Sequence, residues 1–221
     1  ASAELNGAAV KAFSAGVLED GALKFKLDWS ADGPFRAGPV EITGKASGSG
    51  AITGTLGEPR ADLLADFDAL DVPRLPLEAA HMTLTFMRRP DGSSGLVTLA
   101  ATSAYGPAVG KAAFRFPQGG VDLSDIAIDA GGLKASGALA LRRSTPSSAD
   151  LKITLSKGAF LEAGQVTGAV KIIDASGGPR ASLDLRAVNA VLPGSRVAIS
   201  TGRITADGPL DRLPYAADAK G

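Results

Sequence analysis

The 221-residue chain has no cysteine, one histidine, one tryptophan and only 5% aromatic residues, and its 23 Lys and Arg are balanced by 23 Asp and Glu. Each shortage removes a class of function. Without cysteine there is no thiol nucleophile, disulfide, iron–sulfur cluster or cysteine-based zinc site, and an oxidising compartment poses no risk of wrong pairing. One histidine excludes a histidine-rich metal centre and leaves any Ser-His-Asp arrangement dependent on His81 alone. Zero net charge, with no basic block longer than Arg88-Arg89 or Arg142-Arg143, speaks against nucleic-acid binding through a basic face. No apolar run approaches the roughly 18 residues of a membrane-spanning helix. No Gly-x-Ser-x-Gly elbow occurs, and Gly48-Ser49-Gly50 lacks the Lys-Ser/Thr that a phosphate cradle needs. The expectation is therefore a protein that is not an enzyme and carries no cofactor or metal. The chain opens at Ala1 with neither an initiator Met nor a signal-peptide pattern, which points to a piece of a longer protein.

What is abundant is glycine, 28 residues against an ordinary usage of about 7%, together with a 45% apolar fraction too high for a disordered chain. Alternation dominates. Leu23, Phe25, Leu27 and Trp29 share one parity and Lys24, Lys26 and Asp28 the other, as a strand with one buried face requires. The same period recurs in Met82 to Phe86, in Leu139 and Leu141, in Leu151 to Leu155, and in Val170 with Ile172. Further strands are read around Ile42, Ile52 to Leu56, Val97 to Ala101, Phe114 to Phe116, Val121 to Ile128, Leu183 to Val191 and Val197 to Ile204, about fifteen in all. Turn signals such as Asp32-Gly33-Pro34, Pro90-Asp91-Gly92 and Gly131-Gly132 separate them at meander distances, so neighbours should be antiparallel.

Three local features need separate treatment. The parity flips between Leu123 and Ile126, so Ser124-Asp125 must form a bulge or bend if both keep to one face. Ala1 to Ala15 and Asp62 to Leu70 carry helical as well as strand spacing. For the second, a weak internal repeat favours strand: Gly57-Glu58-Pro59-Arg60-Ala61-Asp62-Leu63 resembles Gly177-Gly178-Pro179-Arg180-Ala181-Ser182-Leu183, with Gly208-Pro209-Leu210-Asp211 as a degenerate third copy. In each, Gly frees the backbone and Pro then holds it extended for a following strand.

Fifteen strands about 4.8 Å apart would make a sheet roughly 70 Å across, more than an open sheet sustains without bending or dividing. With at most one or two short helices, no helical layer exists to cover the apolar face. The expected fold is all-β: one elongated segment over residues 1–221, a long curled, mostly antiparallel sheet in the manner of a β-taco or an open-seamed barrel, with an apolar inner groove. A self-filled sandwich or barrel with an ordinary core is the competing outcome. The expected lining is Leu23, Phe25, Leu27, Ile42, Ile52, Leu84, Phe86, Val97, Leu99, Phe114, Phe116, Leu123, Leu139, Leu141, Ile153, Leu155, Val170, Ile172, Leu183, Leu185, Val197 and Ile199. Such a lining is aliphatic and poor in polar anchors, which suits hydrocarbon tails better than a small molecule held by directed hydrogen bonds.

Gly54-Thr55-Leu56-Gly57-Glu58-Pro59-Arg60, together with the Gly-punctuated strands Gly48 to Gly54 and Leu133 to Leu139, resembles segments of the TamB/AsmA-like family of Gram-negative envelope proteins. The likeness in style extends over most of the chain. The resemblance implies a β-taco in the periplasm, anchored in the inner membrane by parts outside this segment. It also implies phospholipid tails carried in the groove toward the outer membrane and, as a second partner, an outer-membrane assembly barrel protein. It supplies no catalytic residues.

The remaining polar residues read as surface. His81 shares a parity with Thr83 and Thr85 and belongs on a polar strand face. Asp62, Asp66, Asp68 and Asp71 form an acidic run, and Gly120-Val121-Asp122 has a superficial likeness to a calcium β-roll whose fuller pattern is missing; solvated carboxylates explain both. Arg88-Arg89 and Arg142-Arg143 fit strand-end charges better than headgroup contacts at a groove rim. Two other functions compete with lipid conduction. One is an assembly module that pairs its sheet edges with partner strands. The other is a carbohydrate-binding sandwich, for which only Trp29 and Tyr105 offer aromatic platforms.

Overall fold

The computed structural model describes residues 2–5, 8–37, 40–143, 145–176, 178–195 and 198–221, and these are built almost wholly of strands. The chain forms two compact units, Ala1–Arg115 and Phe116–Gly221. The first holds β1 (Ser2–Leu5), β2 (Ala8–Glu19), β3 (Ala22–Asp32), β4 (Phe35–Ala37), β5 (Val40–Thr55), β6 (Pro59–Asp71), β7 (Leu77–Arg89), β8 (Gly92–Ser103) and nearly all of β9 (Gly106–Phe116). The second holds β10 (Gly120–Ala130), β11 (Leu133–Arg142), β12 (Thr145–Leu155), β13 (Ala163–Ile173), β14 (Arg180–Val191), β15 (Ala198–Pro209), a 3-10 turn at Leu210–Arg212 and β16 (Tyr215–Lys220). In each unit the strands follow one another in sheet order as in sequence, apart from β4, which folds back on the start of β5. All the registered pairs are antiparallel, and the sheet is not closed. The all-β, open antiparallel fold expected from the alternation is thus the fold observed.

Both segments with ambiguous spacing are strands in their described residues. Ala8 to Glu19 pairs with β3, Val10 opposite Ala31 and Leu18 opposite Leu23, and Pro59 to Asp71 lies between β5 and β7. The bulge expected at Ser124-Asp125 is present: the β10–β11 register shifts between Leu123 and Ile126, and Asp125 has φ 50. Val121, Leu123, Ile126 and Ile128 therefore keep to one face. The third repeat copy departs from its expectation. Pro209 ends β15 instead of opening a strand, and Leu210–Arg212 turn back so that the Leu210 N–H donates to the Pro179 carbonyl at 2.9 Å.

The polar faces are held by charge pairs between neighbouring strands. On β14 and β15, Arg203 donates to both Asp184 oxygens at 3.0 and 2.8 Å, and Arg180 reaches Asp207 at 3.1 Å. The Arg203 hydrogen bonds hold the Asp184 carboxyl below the usual carboxylate range. The stability this lends is complete at neutral pH and is lost as pH falls through the lowered value. Asp184→Asn should accordingly melt slightly below wild type at pH 7, and the gap should vanish on acidification. Thermal scans over an acid series check this; a gap that persists in strong acid contradicts the assignment.

Candidate functional site

Cross-strand register gathers the apolar parities of each unit onto one face. In the second unit one row runs Leu123, Leu139, Ala149, Ile172, Ala181, Gly208, and the next runs Gly137, Leu151, Val170, Leu183, Ala206, Tyr215. A third runs Ile128, Ala135, Ile153, Gly168, Leu185, Ile204, Ala217, and a fourth Ala130, Leu133, Leu155, Val166, Ala187, Gly202, Ala219. The only polar side-chain atom in these four rows is the Tyr215 hydroxyl. Seven strands about 4.8 Å apart and four rows about 6.6 Å apart make a face on the order of 600 Å², as large as the largest apolar patches of ordinary monomers. Its two ends are packed. Leu210 and Leu213 close on Ala149, Ile172 and Ala181 at one. At the other, residues 156–162 fold over the Gly131-Gly132 turn and seat Leu161 at 0% exposure. Between the ends, Leu151, Ile153, Leu155, Val166, Val170, Leu183 and Leu185 are only half-buried.

The first unit repeats the theme with a different profile. Its rows are Phe25, Ile52, Ala61, Phe86, Gly95; Leu27, Gly50, Leu63, Leu84, Val97; and Trp29, Gly48, Ala65, Met82, Leu99. Beyond the next row (Ala31, Ala46, Phe67, Ala80) the ladder is irregular, with Gly44 at φ 79 and Ala79 at φ 47. There Phe35, Ile42, Leu70, Leu75 and Leu77 form a buried plug. At the opposite end Leu23 is half-buried and Leu18 is 53% exposed. Bulky residues lie across neighbouring glycines: a Cβ on Gly48 would overlap the Trp29 indole, and one on Gly95 would overlap the Phe114 ring. Side chains thus lie down over the backbone, and the floor stays shallow and apolar.

The expected lining residues of the registered rows fall on these faces, whereas Ile199, paired with Ala190, has the register parity of Thr201 and Arg203. Ile42 and Ile172 sit in packed ends, not in the uncovered part. Phe114 is buried over Gly95, Phe116 is half exposed, and the Ile199 Cγ2 lies 3.1 Å from where a Gly202 Cβ would stand. Leu141 pairs with Val121, beyond the four rows. Val197 lies outside the described residues. Absent from the expected lining are Trp29, Met82 and Leu151, although alternation alone gives them the parity of their lining neighbours, and Leu63 and Val166, which register adds; also absent are Leu75, Leu161, Leu210 and Leu213, which pack the ends from segments between strands.

The chain's total exposure is large for its mass. At 22.2 kDa the molecule exposes 13594 Å². One compact fold of that mass would expose about 9,400 Å², and two independent compact folds of half the mass about 11,300 Å². Of the 20 buried hydrophobic residues twelve are alanine, and Leu161 is the one large side chain that is fully buried among the described residues.

The polar candidates resolve as surface pairs. His81 Nδ1 stands 2.6 Å from Asp66 Oδ1, and the row reads Ser47, Asp66, His81, so the carboxylate separates hydroxyl from imidazole. A nucleophile needs the imidazole between them. Asp62 receives Arg60 at 3.0 Å, Asp68 accepts the Lys45 N–H at 2.8 Å and Asp122 takes Arg142 at 2.6 Å. Among the described residues no three His, Asp or Glu side chains converge as a metal site would need. Trp29 is half-buried in the apolar face rather than a free platform, whereas Tyr105 is exposed in the β8–β9 turn. No protein-family model, curated protein or solved structure matches the chain.

Proposed function

We propose that the chain is a segment of a periplasmic bridge that carries phospholipid acyl chains along its apolar faces between the inner and outer membranes. The observation that carries the reading is the uncovered middle of the second unit's face: four registered rows, the Tyr215 hydroxyl their one polar side-chain group, no covering layer among the described residues, and both strand ends packed. A face of this kind costs free energy in water, and each CH₂ laid on it recovers about 0.8 kcal/mol. Directed hydrogen bonds are not needed for such a ligand, and the rows offer almost none. The resemblance of Gly54 to Arg60 to TamB/AsmA-like segments supports the same reading, as does the absence of cysteine.

The test uses the parity of adjacent residues. Leu84 belongs to the apolar row with Leu63 and Val97, whereas the Thr83 hydroxyl bonds Thr98 across the polar face at 2.6 Å. A photocrosslinking residue at position 84 should capture phospholipid in envelope preparations, and one at position 83 should not. Equal labelling, or none at 84 with the chain folded, counts against acyl-chain carriage. A second reading, strand pairing with an outer-membrane assembly partner, is favoured by β16, whose six residues are all exposed and which pairs only with β15 among the described residues. It expects protein adducts from Ala217 or Ala219 instead.

A further inference from the structure

The first unit's face is asymmetric along its strands, and a cation stands at its open end. Arg88 shares the parity of Phe86, Leu84 and Met82, so it belongs to the apolar side of β7, opposite Ser93 on β8. It is exposed and enters none of the ion pairs that join described residues. Its neighbour Arg89 and the arginine of the other basic pair differ: Arg142 is tied to Asp122 and to the Leu141 carbonyl, and Arg89 turns back to the Met87 sulfur. Six residues along β7 separate Arg88 from Met82, about 20 Å. There the face passes into Ala65 and Ala80, at 4% and 1% exposure, and the plug of Leu70, Leu75 and Leu77.

A slot that is apolar along its length, blocked at one end and positive at the other has the chemistry of a single-chain anionic amphiphile. We propose that the first unit holds such a lipid lengthwise along β6 and β7. The terminal methyl faces the plug beside Trp29 and Phe67, and the acidic head, carboxylate or phosphate, is paired to the Arg88 guanidinium and the Ser93 hydroxyl. The depth of about 20 Å compares with about 15 Å for the hydrocarbon of one membrane leaflet. Guanidinium groups pair well with carboxylate and phosphate oxygens. The proposal rests on the acyl-chain reading and adds an orientation to it: a blocked slot gives the tail one direction, which a conduit open at both ends does not.

Trp29 is the only tryptophan and stands in the Met82 register row, so its fluorescence reports on the deep end. Stearate carrying a nitroxide near its terminal methyl should quench Trp29 more strongly than stearate labelled near its carboxylate. Arg88→Glu should weaken stearate binding about 3- to 10-fold, the range for reversing the sign of one exposed ion-pair partner, and leave stearyl alcohol unchanged. Arg88→Gln should fall between the two. Equal or reversed quenching, or equal weakening for acid and alcohol, would overturn the orientation while acyl binding stood. If intact-protein mass spectrometry finds neither ligand on the folded chain, the acyl-chain reading falls, and the orientation with it.

Discussion

Leu161→Ala is expected to lower the stability of the second unit by about 2–5 kcal/mol, the range for emptying a fully buried leucine site. Four backbone hydrogen bonds fix the loop that carries it: Ser156 N–H to Gly132 C=O, Ala159 N–H to Gly131 C=O, Gly158 N–H to Leu161 C=O and Glu162 N–H to Val191 C=O, each 2.8 Å. The loop cannot collapse into the space the side chain leaves without breaking some of them. In a unit with few other large buried side chains the cavity is a large part of a total stability on the order of 5–15 kcal/mol. A fall in Tm on the order of 10–20 °C follows for a domain of this size. Leu192→Ala, at a side chain 53% exposed, is the control and should stay within about 0.5 kcal/mol of wild type. Thermal or urea unfolding followed by circular dichroism measures both. Near-equal effects for the two leucines would mean that Leu161 does not anchor the loop.

Ile153→Asp should abolish acyl-chain binding while the protein stays folded. In an ordinary β core a buried, unpaired carboxylate costs several kcal/mol and unfolds a marginal domain. Ile153 lies between Ala135 and Gly168 in the middle of the third apolar row and is only half-buried. A carboxylate there keeps much of its hydration when the face is empty and loses it when a hydrocarbon chain lies down. The penalty therefore falls on binding rather than on folding. Native mass spectrometry for lipid occupancy, read beside the melting curve, separates the two. Loss of fold with loss of lipid would point to a sealed interior, and retention of both would remove Ile153 from the binding face.

The strands were legible because alternation is written into neighbouring residues. Lys24, Lys26 and Asp28 set against Leu23, Phe25 and Leu27 need no knowledge of partners. The bulge at Asp125 was legible for the same reason, since a broken period has to be absorbed locally. Ala8 to Glu19 was not, because its alanines and glycine satisfy two periods at once, and only pairing with β3 decides between them. The end plugs were hidden for a different reason. Leu75, Leu161, Leu210 and Leu213 sit in turns, where burial depends on tertiary closure and leaves no period. Arg88 illustrates what register adds. From composition it reads as a strand-end charge; its parity with Met82, Leu84 and Phe86 already sets it on the apolar side, and register adds Ser93 as its partner. The boundary between the two units, at Arg115 and Phe116, falls within the alternation of β9 and leaves no mark on it.

Within each unit nearly every strand bonds to its neighbours in sequence, and the turns between them are short. Contacts of that kind close small loops, so little chain entropy is lost before the next hairpin adds its hydrogen bonds. Assembly can start at any hairpin and extend by addition of the next, much as in repeat proteins whose units touch only their neighbours. A chain with this topology is suited to folding in the order in which it emerges from a pore, without waiting for its far end.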